Sequence, residues 1–155
     1  SATNMFAIGN NGTILHFNGT SWATQTSPTT EILGGIFGTS GNNVFVVGNN
    51  GVILNFNGTS WATQTSPIST PGAQFGKVLT GVWGATANDL WAVGRDVITL
   101  QSVLLHFNGT SWATQTSPTT NGLYRVRGVS AADVWLSGGG TQVNPGGPGV
   151  IFRRQ

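Results

Sequence analysis

Apolar residues along this chain come in short clusters, divided by glycine, asparagine, serine and threonine, and nowhere recur at the spacing of a helix face. The stretch from Leu33 to Thr65 shows the pattern best. It predicts a strand a over Leu33 to Phe37, b over Val44 to Val47, c over Val52 to Phe56 and d over Trp61 to Thr65. Strand b, and its counterpart Leu90-Trp91-Ala92-Val93, is apolar at every position, which predicts cover on both faces. Strand d is mostly polar and runs out at Pro67, which suits an outer edge that must not pair further. Between strands, Gly48-Asn49-Asn50-Gly51 and Asn57-Gly58-Thr59 supply residues that tolerate positive φ, as tight hairpins require.

The pattern repeats. The segment FNGTSWATQTSP at Phe17 to Pro28 returns without substitution at Phe56 to Pro67 and Phe107 to Pro118, at intervals of 39 and 51 residues, the longer one holding extra loop residues. Four antiparallel strands per ~40 to 45 residues, repeated, predict an all-β fold, a β-propeller whose blades bury both faces against their neighbours. A sandwich or an open array of hairpins is the competing arrangement. The chain reads as one repeat array with approximate units 1–30, 31–69, 70–120 and 121–155. Met5 to Ile8 is already a b strand, so the first unit holds b, c and d. Two complete units follow, and the last holds a (Leu123 to Arg127), b (Val134 to Leu136) and c (Val150 to Arg154). These end fragments overshoot one blade. The expected partners are therefore another copy of the chain, joined head to tail to complete a ring, or flanking blades of a longer chain.

The hairpin Asn57-Gly58-Thr59-Ser60-Trp61 resembles the Asp-box, S-x-D-x-G-x-T-W, of sialidase-like propellers, which lies between the third and fourth strands of a blade; here Asn replaces Asp and the leading Ser is missing. The run GVILNFNGTSW is also similar to bacterial and fungal propeller lectins, with their aromatic-Asp-Gly-x-x-Trp hairpin. VWGATANDLWAVG joined to LLHFNGTSW resembles repeats of bacterial secreted proteins. The resemblance spans nearly the whole chain and implies a blade, with carbohydrate as a ligand class. A sialidase resemblance would also imply an arginine cluster, a tyrosine nucleophile with its partner acid, and an acid catalyst.

Composition narrows what such a module can bind. Charged residues are 6% of the 155-residue chain and the net charge is +2, too little for the phosphate-neutralising patch of a nucleic-acid binder. A surface wetted by neutral polar groups fits an extracellular or cell-surface protein. There is no cysteine for disulfides, thiolate metal sites or a thiol nucleophile. No apolar run approaches the ~20 residues of a membrane span, and Ser1-Ala2-Thr3-Asn4 lacks the features of a leader.

Candidate chemistry is sparse. His16 and His106 share one column of strand c with Asn55, and a column spread over separate blades does not converge on a metal. Asn4, Asn43, Asp89 and Asp133 share a column at the a-to-b turn, where Asx side chains are expected to bond the turn backbone. The remaining acids, Glu31 and Asp96, lie in loops, so no carboxylate pair for glycoside hydrolysis forms. The sole tyrosine, Tyr124, is expected on the face opposite Arg125 and Arg127. No catalytic set assembles and no cofactor is implied, so the expectation is a non-enzymatic module.

Two groups of residues stand out. Trp22, Trp61 and Trp112, with Asn18, Asn57 and Asn108 beside them, sit on hairpins expected to be exposed and are the candidate sugar-binding set; the competing role is to anchor the blade. Arg125, Arg127, Arg153 and Arg154 replace uncharged residues of the other units, and are candidates for an interface or an anion site. Asn11, Asn18, Asn57 and Asn108 also begin N-G-T sequons, which matter only in a source that performs N-glycosylation. Two functions fit: a propeller binding module, with carbohydrate as the expected ligand class and multivalent repeated sites, or a structural, self-assembling surface protein with no small ligand.

Overall fold

The computed structural model describes the backbone of residues 3–70, 76–141 and 144–154, and the side chains of these as far as residue 139. Its strands are β1 (Met5–Ile8), β2 (Ile14–Phe17), β3 (Trp22–Thr24), β4 (Leu33–Ser40), β5 (Asn43–Gly48), β6 (Ile53–Phe56), β7 (Trp61–Thr63), β8 (Lys77–Thr86), β9 (Asp89–Asp96), β10 (Ser102–Phe107), β11 (Trp112–Thr114), β12 (Leu123–Ser130), β13 (Asp133–Thr141) and β14 (Asn144–Arg154). Among the described residues there is no α-helix, only a 3-10 turn at Asn49–Gly51.

The strands form four antiparallel meanders: β1-β2-β3, β4-β5-β6-β7, β8-β9-β10-β11 and β12-β13-β14. The fold is a stretch of β-propeller with two complete four-stranded blades between two three-stranded ones. The first lacks an a strand, and no d strand follows β14 among the described residues. Strand positions follow the sequence reading to within a few residues. The main extension is the last hairpin, where β13 and β14 continue to Thr141 and Asn144, well past the expected Leu136 and Val150.

Turn chemistry explains the hairpins. Asn50 and Gly51 adopt φ of 53° and 71°, and Gly58 and its equivalents Gly19 and Gly109 adopt φ of 96°, 98° and 93°. Side chains other than Asn pay a steric cost in this left-handed region, so these turns hold Asn and Gly.

Each inner strand carries two register shifts at equivalent places: Leu33/Gly35 and Gly38/Ser40 in β4, Leu79/Gly81 and Gly84/Thr86 in β8, Leu123/Arg125 and Gly128/Ser130 in β12. Such bulges bend a strand and re-aim its side chains. They put Leu79 and Val82, three residues apart, into one cluster against blade two, and Leu123 and Val126 into one cluster against blade three.

The core lies between blades. Phe6, Ile8 and Ile14 of the first blade meet Leu33, Val44, Val46, Phe56 and Trp61 of the second. Phe45, Val47 and Ile53 of the second meet Leu90, Ala92, Leu105, Phe107 and Trp112 of the third. Trp83, Trp91, Val93 and Leu104 of the third meet Leu123, Val126, Val134 and Leu136 of the fourth. Val46, Val47 and Val93 are fully buried, because a b strand has one blade on each side. At about 1.5–3 kcal/mol for each large apolar side chain so buried, blade contacts dominate the stability.

Candidate functional site

The tryptophans of the repeated hairpin divide by position, not by sequence. Trp61 and Trp112 retain 7% and 6% exposure, whereas Trp22 retains 49%. Trp61 meets Phe56 of its own blade and, edge to face, Phe6 of the blade before. Trp112 meets Phe107 and, likewise, Phe45 of the preceding blade. The expectation of exposed hairpin tryptophans is thus corrected for Trp61 and Trp112: a d-strand indole is the wedge between blades, and Trp22 is open because no blade precedes it in the structure. The indole N–H groups of Trp61 and Trp112 are buried without a hydrogen-bond partner, so packing alone holds them.

The hairpin asparagines serve the turn. Asn18 Oδ1 accepts from the backbone N–H groups of Thr20 and Ser21, both at 3.0 Å. Asn57 accepts from Thr59 and Ser60 at 2.9 and 3.0 Å, and Asn108 from Thr110 and Ser111 at 3.0 and 2.9 Å. An Asx carbonyl oxygen that closes its own turn is the reason for Asn at this place.

The two polar columns prove to be one feature. His16 Nε2 lies 2.8 Å from Asn4 Oδ1, Asn55 Nδ2 donates to Asn43 Oδ1 at 2.8 Å, and His106 Nε2 lies 2.6 Å from Asp89 Oδ1. The turn Asx side chains therefore reach across to strand c, which corrects the expected bond to the turn backbone. Each pair sits beside the aromatic of strand b: Phe6 stacks on His16 at 4.5 Å and Trp91 on His106 at 4.3 Å between ring centroids. Equal offsets of twelve residues, Asn4 to His16 and Asn43 to Asn55, were the signal that could have joined these columns. In the last blade the register puts Arg153 opposite Trp135, in the column of His16, Asn55 and His106. Arg154 is placed opposite Val134, in the column of Phe17, Phe56 and Phe107. The side chains of Arg153 and Arg154 lie outside the described residues.

Arg125 and Arg127 are exposed on β12, the innermost strand of the last blade. They border a groove of about 220 Å³ floored by Gly34, Gly35, Thr80 and Gly81 of the two preceding inner strands. The glycines have a steric reason: a Cβ on Gly35 would come 3.1 Å from Gly81 Cα, and one on Gly81 3.3 Å from Arg125 Cα. Arg125 Nη1 donates to the Tyr124 carbonyl at 3.2 Å and Arg127 Nη1 to the Val126 carbonyl at 3.1 Å. Among the described residues neither meets a carboxylate.

Tyr124 stands at a bulge, so simple alternation does not govern it. Its hydroxyl accepts from Arg95 Nη1 at 3.3 Å, and that guanidinium carbon lies 5.7 Å from the ring centroid. Sequence reasoning passed over Arg95, since the contact joins residues 29 apart on different blades. Asp96, next to it, is held below the usual carboxylate range, foremost by the Thr99 backbone N–H, which outweighs the opposing effect of burial, with further help from the Ile98 backbone N–H and from Lys77.

No family model and no curated protein matches the chain. Solved structures do. One, described as YCF48 bound to D1 peptide, superposes with a TM-score of 0.61 at 12% identity, over 100% of this chain and 51% of the neighbour. The likeness is one of fold, and the chain spans about half the length of that neighbour.

Proposed function

We propose that this stretch of propeller is a non-enzymatic binding module of the cell surface or extracellular space, and that the groove between its inner strands takes an extended, carboxylate-bearing ligand such as an acidic peptide. The observation that carries this reading is the pair Arg125 and Arg127: two exposed guanidinium groups, without carboxylate partners among the described residues, beside a floor of glycine backbone. Guanidinium groups match carboxylates in geometry, and bare backbone lets an extended chain approach closely. The solved neighbour carries a bound peptide, which supports the class of ligand.

The test is fluorescence anisotropy with a labelled decapeptide rich in glutamate, beside its glutamine counterpart. The acidic peptide should bind at least tenfold more tightly, with affinity that falls as salt rises, and Arg125→Ala with Arg127→Ala should remove the difference. Equal binding of both peptides, or none, would overturn the reading.

A carbohydrate platform of the kind implied by the lectin resemblance has its support narrowed to Trp22, the one open ring of the three hairpin tryptophans. Self-assembly is the second reading, and one observation favours it. Trp22 and Met5 at the first face are 49% and 41% exposed, and Trp135 at the last face is 42% exposed, in columns whose inner members are buried. These faces are the two halves of the contact already made three times inside the chain.

A further inference from the structure

Between its two bulges β12 is regular: Arg125, Val126 and Arg127 pair in order with Ser137, Leu136 and Trp135 of β13. Side chains alternate along this stretch, so Val126 is buried while Arg125 and Arg127 leave the strand together on its exposed face. The two guanidinium groups are also held alike. Arg125 Nη1 donates to the carbonyl of Tyr124 and Arg127 Nη1 to that of Val126, each to the residue before it. Like poses two residues apart on one strand set the charges about 6.6 Å apart, which is the two-residue repeat of an extended chain. The strand beneath them is fixed as well: Thr80 Oγ1 donates to the Tyr124 carbonyl at 3.1 Å and ties β12 to β8. Walls and floor of the groove come from β4, β8 and β12, all strands of this chain.

We infer, resting on the acidic-peptide reading above, that this groove selects carboxylates at alternate positions of an extended strand: acid, any residue, acid. A single carboxylate is too narrow to bridge the two guanidinium groups, so each group takes its own. In a ligand extended along β12, side chains at i and i+2 share one face and match the repeat of β12 itself. Acids at i and i+1 point to opposite faces, so one of them turns away from the arginines. Acids at i and i+3 also face apart, and stand about 10 Å from each other. A helix does bring acids close together on one face, but its diameter of about 10 Å is too wide for a groove of about 220 Å³. The arginine pair is thus a ruler for a strand, beyond a patch of positive charge.

The probes are labelled decapeptides of serine and glycine, each carrying two glutamates that are adjacent, separated by one serine, or separated by two. Their net charge is equal, so long-range attraction is common to all three and only the register differs. By anisotropy against the whole chain, the peptide with one intervening serine should bind at least tenfold more tightly than either of the others. Arg127→Ala, checked for cooperative unfolding, should bring the three to within twofold of one another. Equal binding of the three by the unsubstituted chain, each tighter than a glutamine counterpart, would overturn the register and leave the acidic-peptide reading standing. Absence of binding by all three overturns both. Tightest binding at another spacing, or a preference that survives Arg127→Ala, overturns the register alone.

Discussion

Trp61 and Trp112 sit in the same twelve-residue segment as Trp22, yet they are nearly inaccessible while Trp22 is half open. The difference is the neighbour each one meets, Phe6 or Phe45 on a preceding blade. Truncation of either wedge leaves a cavity that two blades must share. Trp61→Ala or Trp112→Ala should cost about 3–5 kcal/mol in urea unfolding, and Trp22→Ala far less. Near-equal costs for the three would contradict the wedge role. Asn57→Ala strands two turn N–H groups that lie at the surface, where water replaces the lost acceptor, so its cost should stay near 1 kcal/mol by the same measurement. Both residue types were legible in the sequence as candidates, but the identical copies gave no means of telling the buried wedge from the open one.

The hairpin joining β9 to β10 has its own pH dependence. Asp96 Oδ1 accepts from the backbone N–H groups of Ile98 and Thr99 at 2.9 and 3.0 Å, and Oδ2 lies 3.7 Å from Lys77 Nζ. Those contacts favour the ionised carboxylate, so its pKa is lower folded than unfolded. Its contribution is therefore complete above the unfolded value of about 3.9 and is lost as pH falls through the lower folded value. Protection of the Ile98 and Thr99 amides, taken relative to their intrinsic exchange rates at each pH, should fall on acidification through that window, and Asp96→Asn should abolish the pH step. The strands were legible because each run ends at a turn whose Asn and Gly requirements are local. The paired bulges of β4, β8 and β12 were not, since nothing local distinguishes a bulged strand from a straight one.

At the scale of the molecule the two end faces govern the assembly reading. The first presents Met5, Phe17 and Trp22, the last Trp135 with Arg125 and Arg127. If a second copy docks head to tail, sedimentation should show mass rising with concentration, and Trp22→Asp should restore the monomer while unfolding cooperatively. A concentration-independent monomer would exclude that assembly. A glycan array probed with the wild-type chain and Trp22→Ala separates the carbohydrate reading, which requires a signal that the substitution removes.

Short apolar runs, turn residues and a copied twelve-residue segment determined the strands, their antiparallel order and the count of two complete blades between two incomplete ones, because hairpins and side-chain alternation are local properties of the chain. The tertiary structure alone decided which tryptophan is open, that His16 and His106 answer the Asx residues of the turns, and that a groove lies between the inner strands. Each of these depends on what a neighbouring blade places against a residue, and a repeat that is identical in sequence carries no record of its neighbours.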